Sequence, residues 1–288
     1  MPILEYTCRR RASSRRYIDP YRFVAAAFLL PAFVLADDPT SSASQFSEPF
    51  LDQVTGLQMQ RFFGARTTFA FAFSLPETQQ PSGPAASFIG QMTFPLVNGE
   101  GWGALGLTGE MEGNFILAAW PDGNGGIMAS FRQATDEDNP PEVAGTFQVR
   151  PIPDGVQVNE TFLTYTFLCE NCLDSTLGLG LEATAGDAVM GWALSERQPL
   201  GDPADPGAQL GFHERGFGPF TARLGQAKAA GFEAVAARAA ASQAASARAV
   251  AAVPGAFTDG SGEEDGGGEE SGDEGGGMES GDESGDDD

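Results

Sequence analysis

Residues 66–75 read RTTFAFAFSL, so Phe69, Phe71, Phe73 and Leu75 recur at every second position. A two-residue period puts all four side chains on one side of an extended chain, whereas a helix needs its apolar stripe every three or four residues. The segment is therefore expected to be a half-buried β-strand. Similar short runs follow at SFIGQMTF, GWGALGL, NFILAAW, GIMASFR, VAGTFQVR, TFLTYTFLC and AVMGWALS, broken by turn-forming stretches such as PDGNGG and NPPE. Eight or so strands at this spacing, with no helical period between them, predict an all-β antiparallel sandwich or barrel of about 180 residues. That length is ample for one hydrophobic core.

Regions outside this pattern set the domain boundaries. Residues 1–36 place six arginines, from Arg9 to Arg22, ahead of the apolar run FVAAAFLLPAFVLA. The run is too short to span a bilayer, and the small residues before Asp37 read as the cleavage site of a secretory signal, removed after about Ala36. An uncleaved signal anchor is the rival. An Arg-rich mitochondrial leader fits less well, because Glu5 and Asp19 interrupt it. A secreted, extracellular protein is thus expected, with no membrane span after cleavage. Residues 37–222 carry the strands. Residues 223–253 are dominated by alanine and stopped by Pro254, and propensity predicts a helical linker, weakened by Gly225 and Gly231 and without a core of its own. Residues 254–288 hold fourteen acids and no base, a composition expected to be disordered.

Loss of the leader takes away six bases and two acids and deepens the net charge from −24 to −28, half of it in the acidic tail. With one lysine in the chain and no basic stripe, nucleic acid and anionic membranes are excluded as partners. The tail reads as a solubilising brush. The competing expectation is that it folds back at low salt on Arg223, Lys228, Arg238 and Arg248.

Few residues can carry chemistry. His213, in GFHERGFGPF, is the only histidine, which excludes a two-histidine zinc site or a histidine relay within one subunit. It is left as a lone base, one ligand of a metal or haem, or a structural side chain. Cys8 leaves with the leader, and Cys169 and Cys172 of TFLCENCLD should pair in an oxidising compartment as a structural bridge. Leu173 follows Cys172 where covalent haem attachment requires histidine. Asn159-Glu160-Thr161 is an N-glycosylation sequon. Met111, in GALGLTGEMEGN, stands between glycines at the end of a strand, and glycine lets a flat group approach the backbone. A thioether and an imidazole so placed can serve as two axial haem ligands.

The stretch from about Ser42 to Phe220 resembles the cytochrome domain of fungal cellobiose dehydrogenase, a secreted b-type haem domain with a DOMON-like, immunoglobulin-related sandwich. The corresponding pieces come in the family's order: SASQFSEP with VTGLQ, then ASFIGQM, GWGALGLTGEMEGN, ILAAWPDGNG, MASFRQAT, TYTFLCENCLD, GWALSE and GFHERGFGPF. The resemblance implies non-covalent haem b with Met111 and His213 as axial ligands, retained by the Phe-rich interior, and a Cys169–Cys172 disulfide. The family often has Gly-Tyr where this chain has Asp136-Glu137 after Arg132-Gln133-Ala134-Thr135. No strand-linked G-x-G-x-x-G dinucleotide motif leads into a helix, so the chain is not expected to oxidise cellobiose itself. What the resemblance implies is single-electron transfer by a monomer. The donor would be a flavin dehydrogenase or small reductant, and the acceptor a copper polysaccharide monooxygenase or, through ferric reductase activity, ferric iron, with polysaccharide as a further partner. The competing expectation is a haem-free carbohydrate-binding or adhesion sandwich, with Trp102, Trp120 and Trp192 as stacking platforms.

Overall fold

The computed structural model describes residues 44–78, 86–135 and 139–255. The expected leader, residues 136 and 137, and the tail beyond residue 255 lie outside the described residues, as does any folding back of the tail. Among the described residues, apart from three short 3-10 turns, the elements run β1 (Glu48–Leu51), β2 (Gln58–Phe63), β3 (Ala70–Pro76), β4 (Phe88–Pro95), β5 (Trp102–Gly106), β6 (Phe115–Pro121), β7 (Ile127–Gln133), β8 (Val143–Ala144), β9 (Gln148–Val158), β10 (Phe162–Glu170), β11 (Ala188–Ser195), β12 (Gly216–Ala222), β13 (Lys228–Ala229), α1 (Phe232–Ala236) and β14 (Val250–Ala251).

They form an antiparallel sandwich. One sheet runs β1-β2-β3-β4-β10-β9, with β13 added in parallel to the end of β3, and the other runs β12-β11-β5-β6-β7. Each run expected to be extended is extended except VAGTFQVR, which bends at Gly145-Thr146 and divides between β8 and β9. The segment holding His213 becomes a strand from Gly216 onward and supplies an edge of the five-stranded sheet. GWGALG, which has the glycine spacing of a dinucleotide turn, lies along β5 with no helix after it.

Phe69, Phe71, Phe73 and Leu75 point between the sheets and meet Phe94, Phe167 and Phe220. The expectation of a half-buried strand needs correction, because every residue of β3 is buried. On its other face Ala72 joins a second apolar cluster, in which Phe232, Val235 and Ala239 pack with Leu57 and Met59.

That cover comes from the alanine-rich segment. The expected linker helix over 223–253 is reduced to the five residues of α1, and the segment does have a core. Alanine gains only a few tenths of a kcal/mol per residue from helix formation, and here the backbone finds better partners on the sandwich. Ala240 N–H donates to the Pro151 carbonyl (2.8 Å), and the Ala239 and Ala240 carbonyls accept from the Arg150 guanidinium at 2.7 and 2.8 Å. Farther on, β14 pairs in parallel with β8. Residues 239–255 thus lie along the sandwich as a strap. No helix among the described residues is long and apolar enough to cross a membrane.

Candidate functional site

Alternation along three neighbouring strands defines the relevant face. In β5, β11 and β12 the residues Leu105, Met190, Leu194 and Phe220 point between the sheets. Their alternates, among them Trp102, Ala104, Gly106, Gly191, Ala193 and Phe217, therefore form the outer face of the five-stranded sheet. Small residues dominate the middle of this face.

Met111 belongs to the turn that leaves β5 after Gly106 and folds back over the same face. The carbonyl of Thr108 sits so close to Gly191 that a Cβ there would lie 2.8 Å from its oxygen, and Gly109 rests on Val189 and Pro219. Asn114, buried at 3 % exposure, knits the turn together. Its side-chain amide donates to the carbonyls of Thr108 (3.1 Å) and Glu110, while its Oδ1 accepts from Thr108 N–H (3.1 Å). The Asn114 N–H closes on the Met111 carbonyl at 3.1 Å.

His213 overhangs the face from the opposite end of β5. It lies in the β11–β12 connection, whose end is fixed where Arg215 N–H donates to the Leu194 carbonyl (3.2 Å) and Gly216 N–H to that of His213 (3.1 Å). The imidazole packs between Phe212 and Phe217, with centroids 4.8 and 4.4 Å away, and meets Trp102 edge-on at 6.4 Å. Burial holds its pKa below the ordinary histidine value, against the opposing influence of its own backbone and the Glu214 carboxylate. The ring is therefore neutral at pH 7. Glu214 anchors the loop by accepting from Ser195 Oγ (3.0 Å) and Glu196 N–H (2.9 Å). Burial pushes its carboxyl up, but the N–H donors, the Ser195 hydroxyl and Arg197 together outweigh that and hold it below the usual range.

The two loops are thus separated by the length of β5, roughly 14 Å at 3.4 Å per residue, and both lean over one floor of small residues. His213 Nδ1, Trp102 Nε1 and Thr108 Oγ1 are buried around this floor with no hydrogen-bond partner, and the fourth such atom among the described residues, Gln60 Oε1, lies elsewhere. Phe212 and Phe217, 72 % and 56 % exposed, leave an apolar rim beside the imidazole. A thioether-bearing turn, a neutral imidazole, an apolar floor and unspent polar atoms fit a flat apolar cofactor held by two axial donors.

The Phe-rich interior, expected to retain the cofactor, is filled by its own rings. The interior space lined by Phe71, Phe73, Leu75 and Met190 amounts to about 10 Å³, on the scale of one water molecule. A recess of about 310 Å³ opens beside Arg61, Phe63 and Gln91 on the other sheet, away from both Met111 and His213. No cluster of three or more His, Cys, Asp or Glu suited to a metal occurs among the described residues.

Cys169 and Cys172 are bridged at the end of β10, in the other sheet, remote from this face. Asn159 is exposed in the β9–β10 turn, where its Oδ1 accepts from the N–H groups of Thr161 and Phe162 at 2.8 and 2.9 Å. Trp102 and Trp120 are buried, and Trp192 is half-buried against Phe69 (5.4 Å), so none is an exposed stacking platform. Asn114 was missed by sequence reasoning, although an asparagine closing a Gly-rich turn is a signal in itself. Arg132 was quoted only as part of a motif. It is 2 % exposed and donates to the Pro206 (2.6 Å), Ala208 (2.7 Å) and Pro140 (3.3 Å) carbonyls and to Ser130 Oγ (2.9 Å). Burial brings its pKa down to about 10, against Glu142 and Asp205, so it stays charged at neutral pH.

Residues 50–234 match the family described as the cytochrome domain of cellobiose dehydrogenase. A pyrroloquinoline quinone-dependent pyranose dehydrogenase of Coprinopsis cinerea is 32 % identical over 163 residues, which is 56 % of this chain but only 22 % of that protein. Among solved structures, the cytochrome domain of Myriococcum thermophilum cellobiose dehydrogenase is similar with a TM-score of 0.59 at 26 % identity, covering 67 % of this chain and 96 % of that one. The cytochrome b domain of the Coprinopsis cinerea pyranose dehydrogenase gives a TM-score of 0.57 at 27 % identity over 66 % of this chain and 94 % of its own.

Proposed function

The chain belongs to the family of cytochrome domains of cellobiose dehydrogenase, and from that premise we propose that it is a secreted carrier of single electrons that binds haem b non-covalently, with Met111 and His213 as axial ligands. Bound haem supplies a one-electron ferric/ferrous couple. The observation that carries the reading is that the Met111 turn and the His213 loop flank one outer face of β5 from its two ends, with the imidazole neutral and its Nδ1 unpartnered.

Each part of the site does definable work. Burial removes the need for His213 to shed a proton before it can donate a lone pair at neutral pH. The Asn114 hydrogen bonds hold the Met111 turn in one shape, so the thioether need not be ordered at the cost of binding. Ala193 keeps the face between the two loops flat, and the rings of Phe212 and Phe217 shield the histidine side. Held by Met111 and His213, bound haem would serve one-electron transfer rather than substrate or oxygen binding. The proposed donor is a dehydrogenase of the kind to which the related domains are joined, or a small reductant. The proposed acceptor is a copper polysaccharide monooxygenase or ferric iron.

The deciding experiment is the visible absorption spectrum of the purified protein, oxidised and then reduced with dithionite. A Soret band with sharp reduced α and β bands supports the assignment. A featureless spectrum that persists after haemin is added overturns it.

A further inference from the structure

We propose that the strap at residues 239–255 is a brace for the His213 loop, with Arg248 and Ser246 as positioning residues. The inference rests on the reading of His213 as an axial ligand. It concerns a part of the chain beyond the family match, which ends at residue 234.

The chain approaches His213 through a turn at Asp205–Ala208 that is held from two directions. From beneath, the buried guanidinium of Arg132 on β7 grips the carbonyls of Pro206 and Ala208 at 2.6 and 2.7 Å. From the side, the strap closes on the same turn. Arg248 pairs with the Asp205 carboxylate, and Ser246 gives its N–H to Glu142 Oε1 (3.0 Å) and its hydroxyl to the other Glu142 oxygen. Gly207 lies so tightly beneath that a Cβ there would meet Arg248 at 2.5 Å and Ser246 Oγ at 3.0 Å.

The strap is itself tied along its length, so the grip has a fixed origin. Gln243 Oε1 accepts from Ala129 N–H (2.9 Å) on β7. Beyond Arg248, β14 pairs with β8, and Val253 exchanges two hydrogen bonds with the Gln133 side chain at 2.7 and 2.9 Å. Ala208 and Leu210 are then buried against Trp102 and Trp120. Only Gly211 and Phe212 separate Leu210 from His213, so whatever fixes the turn restricts where the imidazole can stand.

The test compares Arg248→Ala, Ser246→Ala and their double variant with Arg248→Lys, in the full chain. Arg238→Ala serves as control, because Arg238 pairs with Asp154 and makes no contact with the turn. Three quantities are read: hydrogen exchange of the amides at 205–216, haem release to an apomyoglobin acceptor, and the midpoint potential. Expected are faster exchange confined to 205–216 and haem release accelerated about three- to fivefold in Arg248→Ala, the range open to an exposed ion pair. The potential should shift in the double variant, Arg248→Lys should restore most of the wild-type behaviour, and Arg238→Ala should change none of the three. Unchanged exchange at 205–216 in the double variant overturns the brace. If the protein takes up no haem yet exchange at 205–216 still accelerates, the brace stands and the cofactor assignment falls.

Discussion

His213, Asn114 and Asp205 place different demands on a substitution. His213 is half-buried and spends no side-chain hydrogen bond on the fold, so His213→Ala should leave far-ultraviolet circular dichroism and cooperative unfolding intact while abolishing stable haem retention. Loss of the folded signal together with the haem would give the residue a structural role instead. Asn114 is the opposite case. Asn114→Ala strips three hydrogen bonds from the Thr108 and Glu110 backbone in a buried turn. A cost of about 1–3 kcal/mol is expected from urea unfolding, and the haem spectrum should change as the Met111 turn loosens. Asp205 sets an acid limit. The hydrogen bond from Arg248, then that from Gly207 N–H, holds its carboxyl below the ordinary value. A carboxyl depressed in the folded state contributes stability that is complete above its unfolded pKa, near 3.8, and is lost as pH falls through the folded value. Thermal midpoints measured downward from pH 5 should therefore fall more steeply for the wild type than for Asp205→Asn.

The elements divide by how local their causes are. The alternation in β3 was legible because a strand in a sandwich needs only its own period to declare itself. The fate of the alanine-rich segment was not, because alanine fits helix and strap equally well and the choice falls to Arg150, Ala129 and Glu142, which lie far off in sequence. The same reason hid the location of the site. His213 stood out as the sole histidine and Met111 through the resemblance to known cytochrome domains. The face they share follows only from the register that sets β5 beside β11 and β11 beside β12. Ahead of the strap, Phe232 of α1 carries a testable weight, being 4 % exposed over Met59 and Ala72. Phe232→Ala should cost about 3–5 kcal/mol, seen as a lower urea midpoint. A cost under about 1 kcal/mol, the size of a surface substitution, would mean that α1 only rests on β3.

At the scale of the whole molecule, charge decides what can approach the exposed rim around His213. Residues 37–288 carry a net charge of −28, and fourteen of those charges sit in the terminal acidic segment. The field of such a chain reaches about 10 Å at 0.1 M salt and shrinks to about 3 Å at 1 M. A cationic acceptor should therefore be drawn in at low salt and lose rate as salt rises, whereas an anionic one should gain rate. Reduced protein mixed in a stopped-flow instrument with cytochrome c and, separately, with ferricyanide should give slopes of opposite sign against ionic strength. Ending the chain at Gly255 removes half the charge without touching the Gly255 N–H bond to the Thr176 carbonyl (2.7 Å) that closes the strap. If the field of the entire chain does the steering, both slopes should shrink by about half in the shortened protein. If they keep their full size, steering belongs instead to the carboxylates nearest the site, Glu214 and Glu196 among them, and the acidic segment serves solubility alone.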